Sequence, residues 1–176
     1  MLQGNILITN ETPPRACISD FRLCYIVETP SFDPTRVEAG GTPGYMAPEL
    51  ISPGGKVSKE ADMYAFGMVI YEVIAGTHPY RRRKMWDIPM LTIQGSRPSR
   101  PEASESAGFD PGTWEFAERC WDENPTQRPS AGAALEHFER VARTSTTVDP
   151  GPAIWIRELP SPDFCECPGS STVPPL

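Results

Sequence analysis

Apolar residues occupy most positions of one stretch near the middle of the chain, from Ser58 to Gly76. The stretch is long enough for several helical turns and is apolar on almost every face, which predicts a helix buried on all sides. Ser58 is suited to cap its N-terminus, and Gly76 with Pro79 supplies a stop. The apolar run is shorter than the ~20 residues of a membrane span and contains Glu72, so we expect the central helix of a folded domain.

Shorter patterns flank the central helix. Gly4 to Ile8 predicts a short buried strand, and Arg15 to Ser19 predicts a second strand that pairs with it as a hairpin. The stretch 85–93 predicts a short helix broken by Pro89.

Two further helices are predicted after the central one. Core-facing residues recur at helical spacing in the first of them, namely Trp114, Ala117, Cys120 and Trp121. Ser130 is placed to cap the second. The predicted buried face of that last helix consists of Ala134, Leu135, Phe138, Val141 and Ala142.

Length and charge narrow the class of protein. A chain of 176 residues with 39% apolar residues predicts one domain with a modest core. The net charge of -7 argues against nucleic acid or a membrane as partner, and the basic run 81–84 is interpreted as solvated surface. Five cysteines without an apolar leader predict an intracellular, cytoplasmic chain with reduced thiols. Cys165 and Cys167 lack the second ligand pair that a zinc site needs.

Four motifs follow one another in a fixed order. They are Asn5 in the sequence GNILI, Asp20-Phe21-Arg22, Ala47-Pro48-Glu49, and a late signature that runs from Cys120-Trp121 to Arg128-Pro129. Together they resemble the C-terminal lobe of a eukaryotic protein kinase, of the tyrosine-kinase-like serine/threonine type. The resemblance covers residues 1–143. It implies a mainly α fold, a helical bundle around the buried central helix with a short N-terminal β-hairpin. Residues 144–176 are rich in Pro, Ser and Thr, which predicts a disordered tail.

The resemblance also implies roles for particular residues. Asn5 and Asp20 correspond to the ligands of magnesium, which a complete kinase uses with ATP to phosphorylate serine or threonine in protein substrates. Asp62 takes the place of a buried structural aspartate in the central helix. Glu49 and Arg128 correspond to a buried ion pair that ties two distant parts of the lobe together.

Asp20-Phe21 and Ala47-Pro48-Glu49 would delimit an activation segment. Thr42 resembles the threonine that contacts the catalytic aspartate and lysine in serine/threonine kinases, and the alternative is a hydroxyl with a local role in a turn. Regulatory phosphorylation is predicted in the middle of the segment, where Arg36 could pair with a phosphate. The candidate residues are Thr29, Ser31 and Thr35.

Several kinase features have no counterpart in the 176 residues. Counted back from Asn5, the catalytic aspartate would precede Met1, and Leu2 stands where a lysine is common. Arg22 replaces the glycine of the Asp-Phe-Gly motif. A glycine-rich loop, its lysine and the partner glutamate are also missing, so we expect the chain alone to be inactive and to bind neither ATP nor Mg²⁺. Its partner would be a protein substrate or the missing N-terminal lobe. Either the chain is part of a longer kinase, which we favour, or it serves as a pseudokinase-like scaffold or binding module.

Overall fold

The computed structural model describes residues 5–12, 14–21, 24, 41–101 and 110–144. Over these ranges the fold is mainly helical, as predicted. The elements are strands β1 (Ile6–Ile8) and β2 (Ala16–Ile18), helices α1 (Pro48–Ile51), α2 (Lys59–Ala75), α3 (Ile88–Ile93), α4 (Pro111–Cys120) and α5 (Ala131–Thr144), and two 3₁₀ turns at Pro43–Tyr45 and Pro125–Gln127.

Helix α2 is the predicted central helix. The Oγ of Ser58 accepts a hydrogen bond from the Ala61 amide at 3.1 Å, as expected of an N-cap. Gly76 ends the helix in the left-handed conformation, with φ 61°, and its amide donates to the Glu72 carbonyl at 2.8 Å. Most of the helix is buried, and Val73 marks an open strip. Other elements therefore pack around α2 on several sides.

Helix α4 makes the most extensive contact with α2. The predicted stripe is confirmed, because Trp114, Ala117, Cys120 and Trp121 are all buried. Gly67 permits this close approach. A β-carbon at Gly67 would overlap the indole nitrogen of Trp121 and lie 2.7 Å from the Cys120 β-carbon. The absence of a side chain at this point lets the two helices meet directly.

Helix α5 packs against the core through Ala134 and Phe138. Ser130 caps it as predicted, because its Oγ accepts from the Ala133 amide at 3.2 Å. The Phe138 ring meets the rings of Phe66 and Phe116 edge-on, with centroids 5.9 and 5.8 Å apart. These ring contacts join α5 to both α2 and α4.

The predicted buried face of α5 was too wide. Leu135 is 62% exposed and Ala142 is exposed, whereas Ala134 is buried and Val141 half-buried. A step of one residue turns a helix by about 100°, so Leu135 and Ala142 each stand beside the narrow stripe that meets the core.

The hairpin forms as predicted, with Ile6 opposite Ile18 in an antiparallel pair. Its predicted burial is wrong. Leu7, Ile8 and Ile18 are 56%, 64% and 53% exposed, and only Ile6 packs against the core. Within the described ranges, no element covers the rest of the hairpin, so its apolar side chains face solvent.

Helix α3 also differs from its prediction. Pro89 does not break a helix that starts earlier, because α3 begins at Ile88 and Pro89 lies in its first turn. Proline is tolerated there since the first amides of a helix have no carbonyl partner within it. Ile88 and Thr92 face inward, and α3 lies against α1 and the 3₁₀ turn at Pro43–Tyr45.

Candidate functional site at the hairpin and the Ala-Pro-Glu turn

The hairpin brings the two predicted metal ligands to its open end. The carbonyl of Asn5 accepts hydrogen bonds from the amide of Ser19 at 2.7 Å and from its hydroxyl at 3.1 Å. Asp20 follows directly and adopts a left-handed backbone conformation, with φ 61°. This conformation is uncommon outside glycine, although aspartate tolerates it better than most residues. The strand pairing thus places Asn5 and Asp20 at the same end of the hairpin.

The chemistry of these two residues fits magnesium. An amide oxygen and a carboxylate are hard ligands, and Mg²⁺ is usually bound through one or two carboxylates together with phosphate oxygens and water. Asp20 is exposed and Asn5 is half-buried, so both are at the surface of the hairpin. Within the described residues, no group of three or more His, Cys, Asp or Glu side chains could hold a metal by itself. A metal here would need phosphate oxygens to complete its coordination.

The end of the predicted activation segment is well ordered by its contacts. The Thr42 carbonyl accepts a hydrogen bond from the Tyr45 amide at 2.9 Å, which closes the first 3₁₀ turn. The Thr42 hydroxyl does not cap this turn. Ala47 is fully buried, and Pro48 begins α1 with a backbone already suited to a helix.

A hydrogen-bonded cluster that the sequence did not predict holds Tyr45 against α2. The Tyr45 hydroxyl donates to Glu72 Oε2 at 2.6 Å, and His78 Nδ1 lies 2.6 Å from Glu72 Oε1. Glu72 is only 1% exposed. Desolvation by burial raises the pKa of Glu72, while the Tyr45 hydroxyl and His78 act in the opposite direction. Burial and the bond to Glu72 likewise raise the pKa of Tyr45. The cluster therefore positions the chain just before Ala47.

The only hint of this cluster in the sequence is Glu72 itself. A carboxylate inside an otherwise apolar buried helix must find polar partners. The pattern does not say which partners, because Tyr45 lies 27 residues away in sequence.

Glu49 and Arg128 form the ion pair that the family resemblance implied. Arg128 Nη1 lies 2.6 Å from Glu49 Oε1, and Nη2 lies 2.9 Å from Oε2, so the contact is bidentate. The Arg128 side chain is completely buried, whereas that of Glu49 is 26% exposed. Arg128 is therefore buried as expected, whereas Glu49 is only partly buried. It joins the first residues of α1 to the turn before α5.

Further contacts fix the guanidinium of Arg128. Its Nε donates to the Asp122 carbonyl at 2.9 Å, and Nη1 donates to the Glu60 carbonyl at 3.0 Å. The guanidinium also lies over the Tyr64 ring, 5.2 Å from its centroid. The Arg97 guanidinium lies at the same distance from that ring. The Arg128 side chain thus joins α1, α2 and the loop at Asp122.

Asp62 does not occupy the buried position that the resemblance implied, because it is exposed. It lies in the first turn of α2, where the surrounding atoms still raise the pKa of its carboxyl by desolvation. Its neighbours Ala61 and Met63 are buried, but the described residues do not cover Asp62 itself.

Cys120, which was predicted to face the core, and the remaining residues of the activation segment and the tail complete the set. Burial raises the pKa of Cys120 to about 12, so its thiol stays protonated and unreactive at neutral pH. Phe21 is described and 63% exposed. The remaining candidates of the activation segment and the tail lie outside the described residues. These are Thr29, Ser31, Thr35, Cys165 and Cys167.

The comparison with known families agrees with this arrangement. The model of the protein kinase domain matches residues 3–138, so the chain belongs to the protein kinase domain family.

Individual relatives are serine/threonine kinases by name. A probable LIM domain-containing serine/threonine-protein kinase of Dictyostelium discoideum is 33% identical over 60% of this chain and 15% of its own length. The serine/threonine-protein kinase VIK of Arabidopsis thaliana is 27% identical over 80% of this chain and 31% of its own length. Receptor-interacting serine/threonine-protein kinase 3 of Rattus norvegicus is 35% identical over 53% and 20%. The chain therefore spans less than a third of each of these relatives.

Among the helices in the described ranges, none combines the length and the apolar character needed to cross a membrane.

Proposed function

We propose that these 176 residues supply the substrate-side lobe of a serine/threonine protein kinase. In this function Asn5 and Asp20 hold magnesium, and the segment that ends at Ala47-Pro48-Glu49 lies beside the protein substrate. The observation that carries the proposal is the pairing of Asn5 with Ser19, which places Asp20 at the same, open end of the hairpin. The family match over residues 3–138 supports it.

Each part of the proposed lobe has a separate task. Mg²⁺, when bound with ATP, would neutralise charge on the phosphates during transfer to a serine or threonine hydroxyl. Asn5 and Asp20 would orient it. The cluster of Tyr45, Glu72 and His78 and the Glu49–Arg128 pair would hold the substrate-facing segment in place from two sides.

The exposed hairpin supports the need for a further covering element. Leu7, Ile8, Ile18 and Phe21 are each more than half exposed. Apolar residues clustered at one end of a domain mark a contact surface. We propose that this surface receives the N-terminal lobe of a kinase, which would also bring the glycine-rich loop and the lysine, whereas the catalytic aspartate would belong to the loop that ends at Asn5.

A non-catalytic binding module is the second candidate. Arg22 at the glycine position of the Asp-Phe-Gly motif and Leu2 at the common lysine position both favour it. Such a module would keep the Glu49–Arg128 pair, which serves the fold, and would not need magnesium.

Sequencing of transcripts across the Met1 codon distinguishes the two candidates. An in-frame glycine-rich loop, lysine and His-Arg-Asp motif would support the kinase, and their absence would favour the binding module. In the longest protein that contains these residues, Asp20→Ala should reduce phosphate transfer to a generic protein substrate at least about a hundredfold, because metal stabilisation of the transition state supplies several kcal/mol. Asp87→Ala, an exposed aspartate on another element, is the matched control. Equal activity of the two variants would contradict the metal-binding role.

The 176-residue chain itself should show no phosphate transfer above its own Asp20→Ala variant. Transfer above that control would mean that the chain needs neither the missing lysine nor the missing aspartate.

A further inference from the structure

The surface of α3 carries an uncovered apolar face, which we call the α3 face. It consists of Met85, Trp86, Met90 and Ile93, which are 63%, 75%, 58% and 47% exposed. Trp86, Met90 and Ile93 follow one another at the spacing of one helical side, since the backbone is already helical at Asp87. Large apolar side chains this exposed and this close together are typical of an interaction surface.

Basic residues adjoin the α3 face. Arg81, Arg82, Arg83 and Lys84 immediately precede it, and all four are exposed. Lys84 Nζ lies 5.6 Å from the centroid of the Trp86 ring, so charge and apolar surface are in direct contact. This run is a local concentration of positive charge in a chain whose net charge is -7. An occupant that fits both features combines bulky apolar side chains with acidic ones.

We propose that the occupant is the C-terminal part of the same chain, centred on Ile154-Trp155-Ile156. This triplet is the apolar interruption in a segment otherwise rich in Pro, Ser, Thr and Gly. The segment is also acidic overall. Its charged residues beyond Thr144 are Asp149, Arg157, Glu158, Asp163 and Glu166. The segment and the α3 face therefore match in both apolar character and charge.

The chain between Thr144 and the triplet is long compared with the radius of a compact domain. Eleven residues lead from Thr144, the end of α5, to Trp155, and they span about 36 to 40 Å when extended. A compact body of roughly 100 residues has a radius of gyration of about 13 Å. Because a short tether gives an effective concentration in the mM range, even a contact with a Kd near 1 mM would be substantially occupied.

Hydrogen exchange of the whole 176-residue chain tests the proposal. The comparison is between the parent and a variant with Ile154→Ser, Trp155→Ser and Ile156→Ser. Amides of α3 should exchange about tenfold faster in the variant, while amides of α2 stay unchanged. Leu135→Ser is the matched control, because Leu135 is an apolar residue of α5 that is 62% exposed and does not belong to the α3 face. This control should leave α3 exchange as in the parent.

The Trp86 side chain gives a second readout. Trp114 and Trp121 are buried, so in a Trp155→Phe chain the Trp86 ring is the accessible indole. Its quenching by iodide should rise several-fold when Ile154→Ser and Ile156→Ser are added.

Charge variants test whether the basic run contributes to binding of the C-terminal segment. Arg82→Glu with Arg83→Glu should release the segment and speed α3 exchange, whereas Arg140→Glu on α5 should not. Equal α3 exchange in the parent and the triplet variant would overturn the proposal. Slow exchange that depends on protein concentration would also overturn it and would assign the α3 face to a second copy of the chain. Protection only upon addition of another protein would assign the face to that partner instead.

Discussion

Replacing Arg128 by alanine should destabilise the fold by about 3 to 5 kcal/mol, the usual cost of breaking a buried ion pair. The substitution removes two hydrogen bonds to Glu49, one each to the carbonyls of Asp122 and Glu60, and the stacking on Tyr64. The Glu49 carboxylate, at 26% exposure, can recover part of its hydration. We therefore expect the lower half of the range, about 3 kcal/mol.

Removal of the other partner, Glu49, should destabilise the fold at least as much. Glu49→Ala leaves a completely buried guanidinium whose Nη2 loses the carboxylate oxygen that accepts from it. Arg128→Lys keeps the charge but cannot form the two parallel bonds or reach the Asp122 carbonyl, so its cost should be about 1 to 3 kcal/mol. A typical domain has only 5 to 15 kcal/mol of stability in total, so each effect is large.

Urea and thermal unfolding of the 176-residue chain measure these differences. At about 2 to 4 °C per kcal/mol, Arg128→Ala should lower the Tm by roughly 10 °C. The double variant should cost clearly less than the sum of the two alanine variants, because the residues interact directly. Arg143→Ala is the control, since Arg143 lies 3.7 Å from Glu139 in an exposed pair that should contribute less than about 0.5 kcal/mol. Unfolding of Arg128→Ala at the Tm of the parent, or additivity of the two alanine variants, would contradict a stabilising contact between Glu49 and Arg128.

Three other predictions concern separate parts of the chain. Burial raises the pKa of the Glu72 carboxyl above its ordinary value of 4.5, so the folded state binds this proton more tightly than the unfolded state does, and stability should fall as pH rises above 4.5. The Glu72→Gln variant should lack this pH dependence in urea titrations, and a pH profile parallel to that of the parent would contradict the prediction. Gly67→Ala should cost about 1 to 3 kcal/mol in the same titrations, because its methyl group overlaps the Trp121 indole, and unchanged stability would show that α4 can move aside. Mass spectrometry of the native protein should find phosphate in the predicted activation segment, and phosphate confined to residues 144–176 would count against this. The candidate sites are Thr29, Ser31 and Thr35.

Sequence reasoning succeeded where one local signal was sufficient. The caps at Ser58 and Ser130 and the glycine stop at Gly76 are local chemistry, and each forms as predicted. The apolar spacing of α4 also determines which residues face the core, because the whole stripe meets a single partner helix.

It failed where burial depends on what covers a residue. The apolar residues Ile6–Ile8 indicate a strand, but the sequence does not show whether another element covers that strand. Most of it is exposed. Leu135 is as apolar as the residues that are buried, yet it points past the narrow contact of α5. The cluster of Tyr45, Glu72 and His78 could not be predicted from a local pattern, because it depends on how the turn at Pro43–Tyr45 meets α2.

The pair of Glu49 and Arg128 was predicted because the family resemblance supplied what local patterns could not. Its two members lie 79 residues apart, and neither has a neighbour that reveals the other. The same resemblance was wrong about the burial of Asp62, since it carried over an environment that the described residues do not provide.

The burial of α2 has a consequence for how the chain behaves when it is cut. Helix α2 packs against the 3₁₀ turn at Pro43–Tyr45 on its N-terminal side in sequence and against α4 on its C-terminal side. A cut between α3 and α4 would leave α2 without the Trp114 and Trp121 surface, and would leave α4 and α5 without a core. Neither piece would hold its structure alone, but each would carry the surface that the other lacks. Two such fragments made together should therefore recover the fold as a noncovalent complex.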